Sequence, residues 1–443
     1  MRSLLIGIIF ISTLLFVNKT IGQTIDPGQT LYPGESATVY CMPFPLPTPK
    51  PTPAPVPVPV PAPTHSALQT VELACSMYGQ GKRSAADATK LNLADKTGKN
   101  CTIVLTWWET DVAGTWCPYF RNYQNVKFCG PYDDWTYIHT EDGGNLGGDI
   151  YNNIILPLHP GWVYPGSKNM YDQAGSQTVF NHGDLATTDF YMDYFKQVPA
   201  SIYNGKWSGT YQQRNWNLRF LDDYLVDGSQ YFVNGPIKSR DQWEAEALTA
   251  IKRLRQRADA AGNIALFANI WSDVEREYWN RQVYRDIMDY LDYGLFETWT
   301  YTMDGKPETE AVWLRRIKTA QDMVKNHRAA PVVNTEIGNY WYALSSLLLV
   351  RENGRGLVWS QKLPPDDVLE KVRGLDLGMP LEDYQKRSGV YQREWTKGKV
   401  VVNPSDSVSY FISLEDSYKD LETGKSVQGI TLAPKTGKIF VKQ

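Results

Sequence analysis

Cysteine is scarce in this chain of 443 residues, with five in all and none beyond Cys129. Structural zinc sites favour Cys pairs two residues apart, and Cys41, Cys75, Cys101, Cys117 and Cys129 include no such pair. Histidine is as rare, and His139, His159 and His182 do not show a metal-ligand spacing. No metal and no other cofactor is therefore expected. A basic excess is also missing: 45 Lys and Arg stand against 48 Asp and Glu, spread evenly. A polyphosphate partner selects a basic footprint, so nucleic acid is not an expected partner.

Long apolar runs are absent apart from Leu4 to Val17, which follows Met1-Arg2-Ser3 and precedes Asn18-Lys19-Thr20-Ile21-Gly22. A bilayer span needs roughly 20 apolar residues, and this run is shorter. A short positive end, an apolar stretch and a small residue fit a secretory signal peptide over 1–22, with cleavage after Gly22. An uncleaved anchor is the competing reading. The expected location is thus secreted or extracytoplasmic, with no stable membrane insertion once the signal is removed. In an exported chain, cysteines clustered in the first third predict local disulfides, Cys117 with Cys129 and Cys75 with Cys101, although connectivity does not follow from sequence.

What the chain has in quantity is aromatic residues, 15 Trp and 27 Tyr among them, which either stack on sugar rings or pack in a core. Residues 23–41 carry Asp26-Pro27-Gly28 and Tyr32-Pro33-Gly34 turns and read as a short β extension. Residues 42–64 alternate proline with Val, Ala and Thr, which predicts an extended polyproline spacer. The globular part begins at about residue 66.

The chain is organised around Asn217-Leu218-Arg219-Phe220-Leu221-Asp222-Asp223, a short mostly apolar run that stops at two carboxylates. A buried barrel strand looks like this where its C-terminal end opens into an active site. The pattern returns in Tyr293-Gly294-Leu295-Phe296-Glu297-Thr298-Trp299. Unpaired buried charge is costly, so strands that end in acids suggest acids with a task. Between and beyond them, strand and helix alternate. Helices are expected over Ser239–Ala261, Val274–Leu291, Pro307–Asn326 and Tyr340–Arg351, and strands over Asn263–Trp271, Ala330–Ile337 and Gly356–Ser360. In front, Cys101–Glu109 and Asn153–Trp162 read as strands, Asp111–Ile150 as long loops, and Thr188–Tyr203 as a helix. Short links between alternating elements imply parallel strands with helices outside. The expected fold is α/β, a (β/α)8 TIM-type barrel over 66–385, with Asp366 to Tyr384 as a connector. From Gly389 the period becomes two, which predicts a small C-terminal antiparallel β domain over 386–443, sandwich-like and packed on the barrel.

The Leu-Asp-Asp and Phe-Glu-Thr-Trp strand ends, with the tail from Gly389 to Pro404, resemble glycoside-hydrolase barrel families that include relatives of endo-α-1,4-polygalactosaminidase. The resemblance covers roughly 150 to 440 and implies a catalytic Asp at the end of strand 4, matching Asp222, and a Glu at the end of strand 6, matching Glu297. It does not cover the Cys-containing front third.

Glycoside hydrolysis needs one carboxyl to protonate the leaving oxygen and another to attack or stabilise the cation-like carbon. Asp222 is assigned as nucleophile or stabiliser and Glu297 as general acid, with the exchange of roles open. Alternate strand residues face opposite sides, so Asp223 is the alternative to Asp222 and otherwise a substrate contact. Glu336, Trp271, Trp299, Tyr301 and Trp359 follow or sit at strand ends and either bind substrate or pack the core and rim. Arg219 is expected beside one of the acids. The implied partner is a polysaccharide or oligosaccharide. The competing function is a catalytically inactive carbohydrate-binding barrel at a cell or particle surface; a polysaccharide deacetylase would want a His/Asp metal cluster that the sequence lacks.

Overall fold

The structure is a computed structural model, and it describes residues 72–77, 101–107, 128–134, 137–139, 155–164, 177–194, 197–203, 206–213, 217–222, 238–262, 264–270, 278–335, 337–360, 364–373 and 375–443. All of these fall in one compact unit, residues 63–443. The stretches read from sequence as a signal peptide, a β extension and, in almost all of its length, a proline spacer fall in the other unit, outside the described residues.

The fold is α/β. Its parallel strands are β1 (Leu73–Met77), β2 (Cys101–Trp107), β3 (Phe128–Asp134), β4 (Leu218–Asp222), β5 (Ala265–Asn269), β6 (Tyr293–Phe296), β7 (Ala330–Asn334) and β8 (Leu357–Ser360). They pair in the order β1-β8-β7-β6-β5-β4-β3-β2, and β2 also pairs with β1. Helices α1 (Leu185–Tyr194), α2 (Arg240–Ala261), α3 (Gln282–Met288), α4 (Glu310–Asn326), α5 (Tyr340–Leu348) and α6 (Asp366–Arg373) follow β3 to β8 in turn.

The apolar runs in these strands reflect burial on both faces. Ala74, Ile103, Leu218, Phe220, Ala265, Phe267, Leu295, Val332, Leu357 and Trp359 form one buried cluster, inside the strands. The alternate residues, among them Leu221, Leu266, Ala268, Phe296, Val333 and Val358, join the helices in a second cluster outside them. Each large aliphatic or Phe side chain so buried contributes about 1.5 to 3 kcal/mol. Gly294 lets α4 come close, because a Cβ there would stand 2.8 Å from both Ile270 Cδ1 and Met323 Cε. Helix α2 starts at a capping box: Ser239 accepts from the Gln242 amide, and the Gln242 side chain accepts in return from the Ser239 amide. Its buried face holds Trp243, Ala247, Ile251 and Leu254.

Four sequence expectations need correction. Asn153–Trp162 is not a strand: Leu156–Leu158 forms a helical turn and Pro160–Trp162 a 3-10 turn. Pro157 and Pro160 have no amide to give a ladder. The helix expected over 188–203 runs from Leu185 to Tyr194, and Gln197–Tyr203 instead pairs as a hairpin strand with Lys206–Gln213. The stretch read as loops contains β3, in which Gly130 and Pro131 mimic a turn while β2 and β4 supply the pairing; nearby, Tyr137–His139 pairs with Gln177–Val179. The connector after β8 contains α6.

The C-terminal region forms a separate antiparallel sheet of β9 (Gln385–Arg387), β10 (Val390–Trp395), β11 (Gly398–Asn403), β12 (Tyr410–Asp420), β13 (Ser426–Leu432) and β14 (Thr436–Lys442), in the order β9-β10-β11-β14-β12-β13. Val390, Val401, Ile412, Leu414, Tyr418, Leu432 and Phe440 form its own cluster. The residues between them, Tyr391, Trp395, Val400, Val402 and Ile439, join the core of the helical layer. Gly437 lies against α5, where a Cβ would meet Ser345 Cβ at 2.6 Å and the Trp341 carbonyl at 3.2 Å.

Arg393 fastens this sheet to the parallel layer. Only 1% exposed, it donates from Nη1 to the carbonyls of Leu349 (2.9 Å) and Arg351 (3.1 Å) and from Nε to that of Glu382 (2.8 Å). Its Nη2 pairs with Glu352. Arg393→Met keeps the volume but strands these acceptors, and is expected to lower unfolding stability by about 3 kcal/mol. Urea unfolding checks it; a loss below about 1 kcal/mol would remove Arg393 as the fastening.

Candidate active site

Along the inner face, strand after strand turns from apolar to polar at its C-terminal end. On β5 the inner positions are Ala265, Phe267 and then Asn269; on β6 they are Tyr293, Leu295 and then Glu297; on β7, Val332 is followed by Asn334. On β4, position 222 comes next on the alternation of Leu218 and Phe220. Ladder register brings these ends together: Leu221 is level with Ala268, Asn269 with Leu295, and Asn334 with Trp359. The Asp222 side chain lies outside the described residues, as do Asp223, Trp271 and Glu336 altogether.

Glu297 is partly buried at this end, and Asn269 Nδ2 donates to its Oε2 at 3.0 Å. Burial pushes the Glu297 carboxyl above the ordinary glutamate range, and the Asn269 hydrogen bond, which favours the carboxylate, opposes that only in part. A carboxyl so placed holds its proton to higher pH than an exposed glutamate and can deliver it to a neighbouring oxygen. Asn269 and Asn334 are buried at 3% and 6% exposure, and neither was singled out from sequence. The signal was there: a lone amide closing an apolar strand occupies the same position as the acids.

Trp359 does belong to the inner face, level with Asn334 and Ala74, and is 3% exposed. Its indole N–H is buried without a hydrogen-bond partner among the described residues. Trp299 does not join the site. It packs edge-on against Phe296 with ring centroids 5.3 Å apart, and its indole donates to the Ala343 carbonyl at 3.0 Å, on the helical side of the strands. Tyr301 is half-buried at the base of a short hairpin closed by its bridge to Pro307. Its ring lies over Gly338, whose φ of +82° and lack of a Cβ are both needed, since a Cβ would fall 2.3 Å from the ring.

Arg219 stands on the other alternation from position 222, beside Tyr191 and Asp193 of α1, and burial lowers its guanidinium to about 10. Strand parity turns Arg219 toward the helices, and the acids it is expected to stand beside, the Asp222 side chain and Asp223, lie outside the described residues. His159 stacks flat on Trp162 at 3.8 Å, and His182 is buried near Phe180. Among the described residues no group of three His, Cys, Asp or Glu could hold a metal ion, and no helix is long and apolar enough to cross a membrane. Cys75, Cys101 and Cys129 lie in β1, β2 and β3, but no thiol is among the described side chains and no cysteine pair is seen among them.

Charges at the opposite, N-terminal end are paired. Glu72 accepts from Thr102 Oγ1 at 2.6 Å, and Asp292 is held by Arg255 at 2.8 Å and Arg328 at 2.7 Å. That end reads as structural, and the inner polar side chains Asn269, Glu297 and Asn334 lie at the other.

No protein-family model matches the chain, and no curated protein matches it. Similar solved structures include a noncanonic maltogenic alpha-amylase from Thermotoga neapolitana, with 8% identity, a TM-score of 0.46, and coverage of 85% of this chain and 99% of that one. A GH31 dextranase from Flavobacterium johnsoniae, complexed with glucose, matches with 10% identity and a TM-score of 0.45 over 85% of this chain and 52% of its own. An alpha-galactosidase from Thermus thermophilus matches with 11% identity and a TM-score of 0.40 over 74% of this chain and 66% of its own. These neighbours are glycoside hydrolases at low sequence identity.

Because the Glu297 carboxyl titrates higher folded than unfolded, its ionisation works against the fold, and that penalty grows as pH rises through the folded value. Glu297→Gln is therefore expected to unfold at a higher temperature than wild type at pH 7 to 8. The gap should close below about pH 4, where an ordinary glutamate is itself protonated. Calorimetry across that range checks it; a gap that is absent at pH 7 or widens toward acid would contradict the assignment.

Proposed function

We propose that this chain is a secreted glycoside hydrolase whose (β/α)8 barrel, residues 66–385, cleaves a polysaccharide or oligosaccharide with Glu297 as general acid and Asp222 as nucleophile or stabilising base. The observation that carries this reading is the polar end of an otherwise apolar strand interior, with a proton-retaining carboxyl at its centre. The resemblance of the strand ends at Asp222 and Glu297 to glycoside-hydrolase barrels supports it, as does the buried indole donor of Trp359, which has no hydrogen-bond partner among the described residues and which a sugar hydroxyl can satisfy. The signal segment 1–22 supports export, and the proline-rich 42–64 would space the barrel and the C-terminal module, 386–443, from whatever holds the N-terminus.

In the reaction, the bond between the anomeric carbon and the glycosidic oxygen breaks with both electrons going to the oxygen. Glu297 gives that oxygen its proton. Asp222 either bonds to the anomeric carbon, for later release by water, or takes a proton from the water that attacks directly. A separation of about 5 to 5.5 Å between the carboxyls corresponds to the first course and about 6.5 to 9.5 Å to the second. Asn269 sets when the acid is charged, because its hydrogen bond favours the carboxylate.

Three outcomes test this. Purified protein incubated with a panel of bacterial and fungal polysaccharides, galactosaminoglycans included, is expected to release reducing ends, and Glu297→Gln and Asp222→Asn to lose about 10²-fold or more of that rate. Glycan binding without release in any form would instead establish a carbohydrate-binding barrel. In Asn269→Leu the carboxylate loses its donor, so the alkaline limb of the rate profile, where the acid becomes ionised, should move to higher pH; a limb that stays or moves down would sever Asn269 from Glu297.

A further inference from the structure

One large apolar side chain of the C-terminal sheet faces water. Phe411 of β12 is 67% exposed, more than any other large apolar residue described, and within strands β9 to β14 it is the sole exposed one. Its chain neighbours Ile412 and Leu414 turn into the sheet's own cluster, so alternation puts Phe411 and Ser413 on the outer side. There the ring leans over the edge strand, β13. A Cβ at Gly429 would stand 2.9 Å from Phe411 Cζ and 3.4 Å from its Cε2, so only glycine leaves the ring its place. Opposite Phe411 in the ladder stands Thr431, and opposite Gly429 stands Ser413, with both hydroxyl residues exposed. The face is one aromatic ring framed by glycine and hydroxyls.

Resting on the proposed hydrolase for the nature of its ligand, we infer that this outer face of β12 and β13 is a second carbohydrate-binding surface, separate from the strand-end site, on which a neutral sugar ring stacks against Phe411. Size decides against other partners. A specific protein interface takes about 800 Å² from each side, whereas a Phe side chain amounts to about 150 to 250 Å² in all and its register neighbours here are small. A bilayer surface is met by an apolar helix face rimmed with Lys and Arg, and β13, Ser426 to Leu432, carries no charge. Exposed edge strands are commonly guarded by charge. Without it, the ring is open to an uncharged ligand. A pyranose is about the size of one aromatic ring, and its C–H face can cover Phe411 while hydroxyls at its rim meet those of Ser413 and Thr431. Arg393 ties this sheet to the helical layer, so a polymer held at Phe411 stays beside the barrel that cuts it.

The test uses the full chain with Glu297→Gln, which holds polymer without cutting it, and compares it with the same chain carrying Phe411→Ala, Phe411→Leu or Phe411→Trp. Native gels are cast with dextran, soluble starch or a fully N-acetylated galactosaminoglycan, and apparent affinity is read from retardation. At least one polymer should retard the parent chain; Phe411→Ala and Phe411→Leu should weaken that about fivefold or more, and Phe411→Trp should keep it. With Glu297 intact, Phe411→Ala should raise KM on the same polymer and leave the rate on a short aryl glycoside as it was. No retardation of the parent by any polymer, unchanged retardation in Phe411→Ala, or full retention in Phe411→Leu would overturn the stacking role. So would an equal loss on the short glycoside, which would make Phe411 a support of the fold. A wild type that sediments as a dimer while Phe411→Ala is a monomer would give the face to a second copy and overturn it too. Retardation that depends on Phe411 in a protein without hydrolytic activity would remove the hydrolase reading and leave the surface; hydrolysis without such retardation would do the reverse.

Discussion

An ionisable carboxyl at the end of an apolar interior is costly unless something meets its charge, and Glu297 is met among the described residues by one amide, that of Asn269. The rest of the parallel layer is arranged so that this amide arrives there. Asn269 is inner because β5 alternates Ala265 and Phe267 against Leu266 and Ala268, and both sets are buried. Shifting β5 by one residue against β6 would exchange the two sets and carry the amide to the helical side. The close fit of Ile270 and Met323 over Gly294 fixes the same register from outside.

The segment leaving Glu297 is held just as firmly. Arg316 of α4, 1% exposed, donates to the Trp299 carbonyl at 2.9 Å and pairs with Glu308 at 2.8 Å. The Glu308 amide in turn donates to Thr300. The same helix carries Trp313 against Tyr391 of the C-terminal sheet, with ring centroids 4.9 Å apart, and Glu310 against Lys386. The sheet thus braces α4 and α5, the two helices that follow the strands of Glu297 and Asn334. A module that looks like an appendage to the chain serves as a backing plate for the site.

Much of this was legible from residue pattern. Strands β4 to β8 and helices α2, α4 and α5 announce themselves because each has one period and one buried face, and Ser239 marks the start of α2 as a capping residue should. The front was harder. Gly130 and Pro131 are turn residues, and only pairing with β2 and β4 makes a strand of them, so β3 passed unnoticed in a stretch read as loop. Periodicity also cannot tell an inner aromatic from an outer one. Trp299 and Trp359 both stand at strand ends, yet Trp299 turns to Ala343 behind the strands while Trp359 stays on the inner face. Arg219 shows the same limit, since adjacency in sequence along a strand means opposition in space and its neighbour Phe220 is inner while it faces the helices.

The role given to Glu297 rests on proton donation to a leaving oxygen, and the most direct measurement varies that oxygen. Glu297→Ala should be assayed on the natural polysaccharide and on an aryl glycoside of the same sugar whose phenol is acidic enough to depart unprotonated. The account predicts that the polysaccharide rate falls by about 10²-fold or more while the first step on the activated glycoside stays near wild type. An equal collapse on both substrates would contradict it and pass the role of acid to another residue.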